Sequence, residues 1–320
     1  MGAVTRKLIE SGSHVPGVDP ATFQLPFDTA LRYERAGEEL QPYVADYHVL
    51  DSIRPPGWVS SEIMLPGGPA IRFILEDHDF DLAIGSGPHG PLPKASLYGS
   101  LSRSAKMRVG PGGVTIGVSL TPLGLARIAG TDADRLRDTV VPLESVIDPA
   151  LVGSIQNDLK ASDRGPGVKA VLDAHLRVIF VRSHPHDDAI QRISAVIAKP
   201  GVSSVAEARE LSGMSKRQFE RLTKRYFGFP PKLLLRRARL LRSIIALKMA
   251  GEPYDMRVLE DEYFDHSHFT RDSHRFLGMS PLRFLRTPSP YRDAALRARS
   301  IVLGSAVAAL DATVESKTAA

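Results

Sequence analysis

A chain of 320 residues, 43% hydrophobic and 24% charged, has the size and composition of a folded protein of two domains. It contains no cysteine, which excludes disulfides, cysteine-ligated zinc, iron–sulfur clusters and thiol nucleophiles. The net charge of +5 is unevenly spread: residues 199–287 hold 18 Lys and Arg against 10 Asp and Glu, leaving 23 against 26 elsewhere, so one basic segment fit to meet a polyanion adjoins a slightly acidic remainder.

Residues 1–30 show no periodicity and read as an irregular N-terminal arm without an apolar signal segment. No apolar run in the chain approaches the roughly 20 residues of a membrane span, so a cytoplasmic location and no membrane partner are expected. From 31 to 150 the texture changes to short apolar or alternating runs at 42–50, 70–76, 79–85, 94–99, 104–110 and 113–120, separated by clusters of Gly and Pro. Such runs predict an antiparallel sheet closing into a small barrel or sandwich. The glycine clusters lack the spacing of a phosphate-binding loop and read as turns. No acid–base pair or activated nucleophile assembles in this region, so no catalytic residue is assigned and no cofactor or metal is called for. Tyr47 and Trp58 are expected to pack in the core, with lining a ligand site as the alternative.

Thr121 followed by Pro122 predicts a capped helix. Residues 151–198 form a helical connector, with amphipathic segments at 151–159, 166–182 and 187–198. It serves as a dimer seam or as a cap on the β domain.

The segment 199–287 contains one stretch twice. Ser215 to Pro231 reads SKRQFERLTKRYFGFPP, and Asp265 to Pro281 reads DHSHFTRDSHRFLGMSP, so Phe219, Arg221, Arg225, Gly228 and Pro231 recur as Phe269, Arg271, Arg275, Gly278 and Pro281. In the first copy a helix at 202–211, with Val205, Ala208 and Leu211 inward, a turn at 212–214 and a second helix capped by Ser215 make a helix-turn-helix. Phe219, Leu222 and Tyr226 at i, i+3 and i+7 must face the core, which turns Lys216, Arg217, Glu220, Arg221 and Lys224 outward. Arg pairs with guanine and Glu accepts from cytosine, so Arg217, Glu220 and Arg221 are assigned to base edges and Ser215 and Lys216 to phosphates. In the second copy 257–262 supplies the first helix and Asp265 the cap, leaving His266, Ser267, Thr270 and Arg271 for the groove. Helix N-termini at Lys232 and at Leu282 and Arg283 are assigned to phosphate. Between the copies a long helix, 231–249, carries Arg236, Arg237, Arg239 and Arg242, read as part of the DNA-facing surface. The histidines at 266, 268 and 274, and the run at 184–188, are read as cap, core and loop residues rather than metal ligands.

The stretches SGMSKRQFERLTKRYFGFPPKLLLRRARLLRS and YFDHSHFTRDSHRFLGMSPLRFL resemble the two helix-turn-helix units and linking helix of the AraC family of bacterial transcription regulators. LTPLGLARIAG followed by VPLESVI resembles, more weakly, that family's upstream sensing domains. The resemblance implies a monomeric all-α double helix-turn-helix reading head, with two recognition helices in successive major grooves of one DNA face, behind an N-terminal antiparallel β barrel of cupin-like form. With the helical connector and an alanine-rich C-terminal tail at 288–320, read from the residues to hold a helix at 292–303, the expected fold class is α+β. The expected partners are double-stranded DNA, RNA polymerase, for an activator or a repressor, and either a small-molecule effector sensed by the β domain or a second copy of the chain in a homodimer that it mediates. Where the family's second unit has small residues and a Gly at the turn, this chain has Arg257, Val258 and Glu262, which predicts a less regular second turn. The rival readings are a nonspecific architectural DNA binder and a small-molecule enzyme built on the barrel.

Overall fold

The computed structural model describes residues 7–26, 28–55, 57–75, 80–85, 87–89, 92–110, 112–130, 132–181, 183–255, 259, 263 and 266–307. Its N-terminal half contains β1 (Thr29–Glu34), β2 (Val44–Ser52), β3 (Ser60–Met64), β4 (Ala70–Ile74), β5 (Phe80–Ile84), β6 (Gly87–His89), β7 (Ala95–Tyr98), β8 (Ala105–Val109), β9 (Gly113–Leu120) and β10 (Val140–Pro142). They form a six-stranded sheet in the order β1-β2-β9-β4-β7-β10 and a four-stranded sheet in the order β3-β8-β5-β6. Every pairing between these strands is antiparallel.

The six runs expected from sequence correspond to β2, β4, β5, β7, β8 and β9. The expected barrel is not closed: among the described residues the two sheets share no ladder. Both edges of the large sheet have a physical stop. β10 ends at Pro142, which has no N–H to extend a ladder, and the outer edge of β1 is taken by Gly12, which donates to Leu31 O at 3.0 Å and accepts from Tyr33 N at 3.1 Å. Residues 7–26 are therefore irregular but packed, with Phe23 fully buried.

The large sheet is two-faced because its central strand alternates. In β9, Val114, Ile116, Val118 and Leu120 point into the main core, packed against α1 (Pro122–Ala129), α2 (Pro149–Ala161) and α3 (Gly167–Phe180). Thr115, Gly117 and Ser119 take the opposite face, where small and polar residues leave room. Thr121 caps α1 as its sequence predicts, accepting from Gly124 N at 3.0 Å.

The C-terminal half consists of α4 (Asp187–Ala198), α5 (Val205–Ser212), α6 (Lys216–Phe227), α7 (Pro231–Ala250), α8 (His266–Leu277), α9 (Pro281–Arg286) and α10 (Pro290–Leu303). Ile190, Ile193 and Ile197 of α4 share one core with α5, α6 and the start of α7, and Leu123 of α1 enters the same core. The tail helix α10 does not trail away. Ala294, Ala298 and Val302 pack on Phe23, Leu31 and Tyr33 of the β domain. Arg297 donates to Phe23 O at 3.1 Å, and Arg35 donates to Val302 O at 2.6 Å.

Candidate nucleic-acid interface

In the first unit Ser204 caps α5 and Gly213 makes the turn at φ +67°, a left-handed conformation that glycine adopts without strain. Ser215 then caps α6 by accepting from Gln218 N at 3.3 Å. The inward stripe of α6 is Phe219, Leu222 and Tyr226, all buried. On α5 the expectation for Leu211 fails: it is 48% exposed, and Ser212 is buried in its stead. The stripe there runs Val205, Ala208, Ser212, following i, i+3, i+7, so Leu211 falls one position outside it.

Ser215, Lys216, Arg217, Glu220, Arg221 and Lys224 all lie exposed on α6 or at its cap, and Lys232 is exposed in the first turn of α7. The β domain reaches this helix from its C-terminal end. Asp132 pairs with Arg225 at 2.8 Å, Asp134 with Lys224 at 3.7 Å, and Ala133 N donates to Arg225 O at 2.7 Å.

In the second unit, the expected first helix at 257–262, apart from Leu259, lies outside the described residues, as do Glu262 at its turn and the Asp265 cap. Within α8, Phe269 and Phe276 are buried, while His266, Ser267 and Arg271 are exposed and Thr270 is half-buried. Arg271 folds back, its Nε donating to Ser267 O at 3.2 Å. Ser104 of the β domain holds the C-terminal end of α8, its N–H donating to Phe276 O at 2.7 Å and its hydroxyl to Leu277 O at 3.1 Å.

The residue missed from sequence is Asp272, which is 2% exposed. It accepts from Arg236 Nε at 3.0 Å, Arg239 Nη2 at 3.3 Å and Tyr263 OH at 3.2 Å. Fifty residues earlier, the equivalent position is Leu222, so a carboxylate occupies a core position and requires buried cationic partners. Burial and the adjacent Asp272 push the Tyr263 hydroxyl well above its ordinary pKa. The signal was available: the offset that aligns Phe219 with Phe269 also aligns Leu222 with Asp272.

This changes the reading of α7. Arg236 and Arg239 bind Asp272, Arg242 donates to Ile197 O at 3.4 Å, and Arg237 is buried, donating to Leu101 O at 3.0 Å. Within the protein these arginines hold the head together and join it to the β domain, with Arg236, Arg239 and Arg242 half-buried and Arg237 buried. His184 lies edge-on to the Tyr226 ring at 5.3 Å, and burial lowers its pKa. Among the described residues no group of three or more His, Asp or Glu side chains comes together in a way that could hold a metal ion. No helix among them is long and apolar enough to cross a membrane.

A second site lies on the polar face of the large sheet, where α10 and the small sheet enclose a cavity of about 170 Å³. Tyr33, His48, Arg72 and Tyr98 line it; Tyr47 and Trp58 do not. Tyr47 is core, donating to Asp173 Oδ1 at 2.9 Å, and Trp58 stacks under Arg54 with 4.0 Å from guanidinium carbon to ring centre. Burial lowers the pKa of His48 and raises those of Tyr33, Tyr98 and Glu62. For Asp46, burial alone would raise the pKa, but Arg299, His48 and Ser119 outweigh it and hold the carboxyl below its ordinary range.

Residues 209–287 match the family model described as "Helix-turn-helix domain", which is of AraC type. Among solved structures, ToxT from Vibrio cholerae is similar at 11% identity, covering 75% of this chain and 97% of that one, with a TM-score of 0.41. ToxT from Vibrio cholerae O395 gives 9% identity, coverage of 74% and 96%, and a TM-score of 0.37. The AraC-like transcriptional activator CuxR gives 11% identity, coverage of 67% and 86%, and a TM-score of 0.27. No curated protein sequence matches the chain. The matched segment takes in the end of α5, then α6, α7, α8 and α9, so this part of the chain carries a helix-turn-helix domain of AraC type, the domain of DNA-binding transcription regulators.

Proposed function

We propose that this regulator is sequence-specific and reads two successive major grooves on one face of DNA, with α6 in one and α8 in the other. The observation that carries this is the pair of reading helices whose buried stripes leave polar, largely basic faces exposed, both packed on one linking helix. A 20-residue helix such as α7 spans about 30 Å, close to the roughly 34 Å repeat of the DNA helix. Arg217, Glu220 and Arg221 take base edges, with His266, Ser267, Thr270 and Arg271 in the second groove. Ser215, Lys216, Lys224 and Lys232 contact phosphates. A small-molecule effector acts through the β domain, which grips the C-terminal ends of both reading helices at Asp132 to Asp134 and at Ser104. Activation through RNA polymerase, and pairing of two copies through the outer faces of α2 and α3, complete the reading.

Selection of bound fragments from random DNA tests it. The expected product is a bipartite motif whose halves lie about one helical turn, roughly 10 base pairs, apart, with affinity falling steeply with salt. Equal affinity for every sequence would make the protein a nonspecific binder, and a motif of one half only would leave α8 without its role.

A further inference from the structure

The cavity beneath α10 is built around a charge that the protein does not balance. Its floor is a row running across the large sheet, set by strand register: Tyr33 opposite His48, His48 opposite Gly117, and Gly117 opposite Arg72. Glycine at the centre keeps the row flat, since a Cβ there would come within 2.1 Å of the His48 ring. The Tyr33 and His48 rings stack at 5.3 Å.

Three guanidinium groups line the space, and two have acids. Arg292 pairs with Asp293 at 2.8 Å, and Arg299 with Asp46 at 3.4 Å. Arg72 has none among the described residues. Its neighbours are the Met64 sulfur at 3.0 Å, the Met107 sulfur at 3.7 Å and the Tyr98 ring, 4.8 Å from the guanidinium carbon, and its Nε is buried without a hydrogen-bond partner. Thioethers and ring faces stabilise a cation far less than a carboxylate does. The one acid on the lining, Glu62, is turned to Ser289 and Ser60, and burial favours its neutral form. His48 is kept from adding charge by its burial. Leu31, Leu50, Ile63, Leu101 and Leu296 make much of the remaining wall apolar, with Thr115 and Ser119 as small polar positions on the sheet.

We propose that this cavity binds a compact organic monoanion, a carboxylate on a ring-sized or short-chain apolar body, with Arg72 as its anion contact and α10 as one wall. An apolar cavity of roughly 150 Å³ holds a benzene ring, so the space suits a body of that size with the carboxylate reaching Arg72. A monoanion is required because one guanidinium is unbalanced. An apolar body is required because inorganic phosphate would leave the aromatic and aliphatic walls unfilled. The occupant would touch the sheet, α10, and Gly67 and Leu101, whose carbonyls accept from Arg237 of the linking helix. The site thus meets the reading head, and the inference deepens the effector part of the proposed function.

The test uses the full chain, with benzoate, phenylacetate and hexanoate as probes, their uncharged amides, and inorganic phosphate. Ligand-observed NMR and calorimetry should find at least one acid binding with a dissociation constant on the order of 1 mM or tighter, its amide at least tenfold weaker, and phosphate not at all. Arg72→Met should abolish the preference of acid over amide while leaving the thermal midpoint level with or above that of the parent, since a half-buried cation without a carboxylate partner contributes little to folding. The proposal is overturned if no acid binds by 10 mM, on the order of the weak end for fragments, if amide or phosphate binds as well as acid, or if Arg72→Met preserves the preference. A large drop in the midpoint of Arg72→Met would also overturn it, by making Arg72 a structural residue. Recovery of a specific DNA motif is measured separately, without probes. Specific DNA binding with an empty cavity sinks this inference alone, whereas acid binding without DNA specificity sinks the regulator reading and leaves the site.

Discussion

The two reading units share a sequence pattern and are held by different forces. In the first, Leu222 sits in the stripe between Phe219 and Tyr226, and the core around it runs without a break through α4 to Leu123 of the β domain. In the second, Asp272 takes the equivalent place, and two arginines of α7 and the Tyr263 hydroxyl converge on it. A helix-turn-helix asks only that the inward stripe be anchored; it does not specify the chemistry of the anchor. An apolar anchor tolerates small shifts in shape, whereas an ionic one fixes the rotation of α8 against α7 through directed hydrogen bonds.

The largest expected effect tests the ionic anchor. Asp272→Ala should cost about 3–5 kcal/mol in urea unfolding, because it leaves Arg239 largely buried without its carboxylate. Asp272→Leu combined with Arg236→Met and Arg239→Met should recover most of that loss. A cost below about 1 kcal/mol for the single variant, the level of an exposed ion pair, would remove the contrast between the units. Leu222→Ala should cost about 2–5 kcal/mol as a cavity, and Leu222→Met less than about 1.5. Asp272→Asn, just as close in shape, should cost more than Leu222→Met, because shape is not what that position supplies.

How far the sequence reveals the molecule follows the same division. Where one physical rule acts alone, the residues could be read directly: Thr121 before Pro122 caps α1, Ser215 caps α6, and the alternation in 113–120 gives β9. Where long-range pairing decides, they could not. Strand β3 pairs with β8 some forty residues away, and β10 is three residues ending in proline, so neither carries an alternating run of its own. The open sheets follow from those strands. The arginines of α7 show the limit most clearly. A basic helix between two reading motifs looks like DNA-facing surface, and only the burial of Asp272 and the carbonyls of Gly67 and Leu101 reveals why each arginine is needed. The polar face of β9 was visible as Thr115, Gly117 and Ser119, but nothing local says that a helix from the far end of the chain closes over it.

Next in size is the contrast in DNA contact. Arg217→Ala should weaken binding to the selected motif by about 1–3 kcal/mol and relax one base position. Arg271→Ala should cost less, because the Arg271 guanidinium is already engaged with Ser267 O and must leave it to reach a base. Fluorescence anisotropy on the motif and on single-base variants measures both. If the Arg217 loss is equal on all sequences, that side chain contacts phosphate; if Arg271 costs as much as Arg217, the second unit reads as strongly as the first.

The smallest effect concerns what each unit meets at the C-terminal end of its reading helix. α8 meets the neutral Ser104, whereas α6 meets Asp132 and Asp134, which pair with Arg225 and Lys224. Arg225 and Lys224 are 47% and 64% exposed in their side chains, so each pair contributes only about 0.2–1 kcal/mol and is screened by salt. Their consequence lies in competition: a cation held by a loop carboxylate is a cation withheld from phosphate. Asp132→Asn with Asp134→Asn should leave folding nearly unchanged and tighten DNA binding about two- to fivefold at low salt, the factor that freeing one or two such pairs permits. The slope of log affinity against log salt should steepen by up to about two, one for each cation gained at the backbone. The gain should be the same on the selected motif and on random DNA, because phosphates carry no sequence. A gain confined to the motif would instead mean that the loop orients α6 for base reading, and no gain at all would mean that Lys224 and Arg225 stand clear of the DNA.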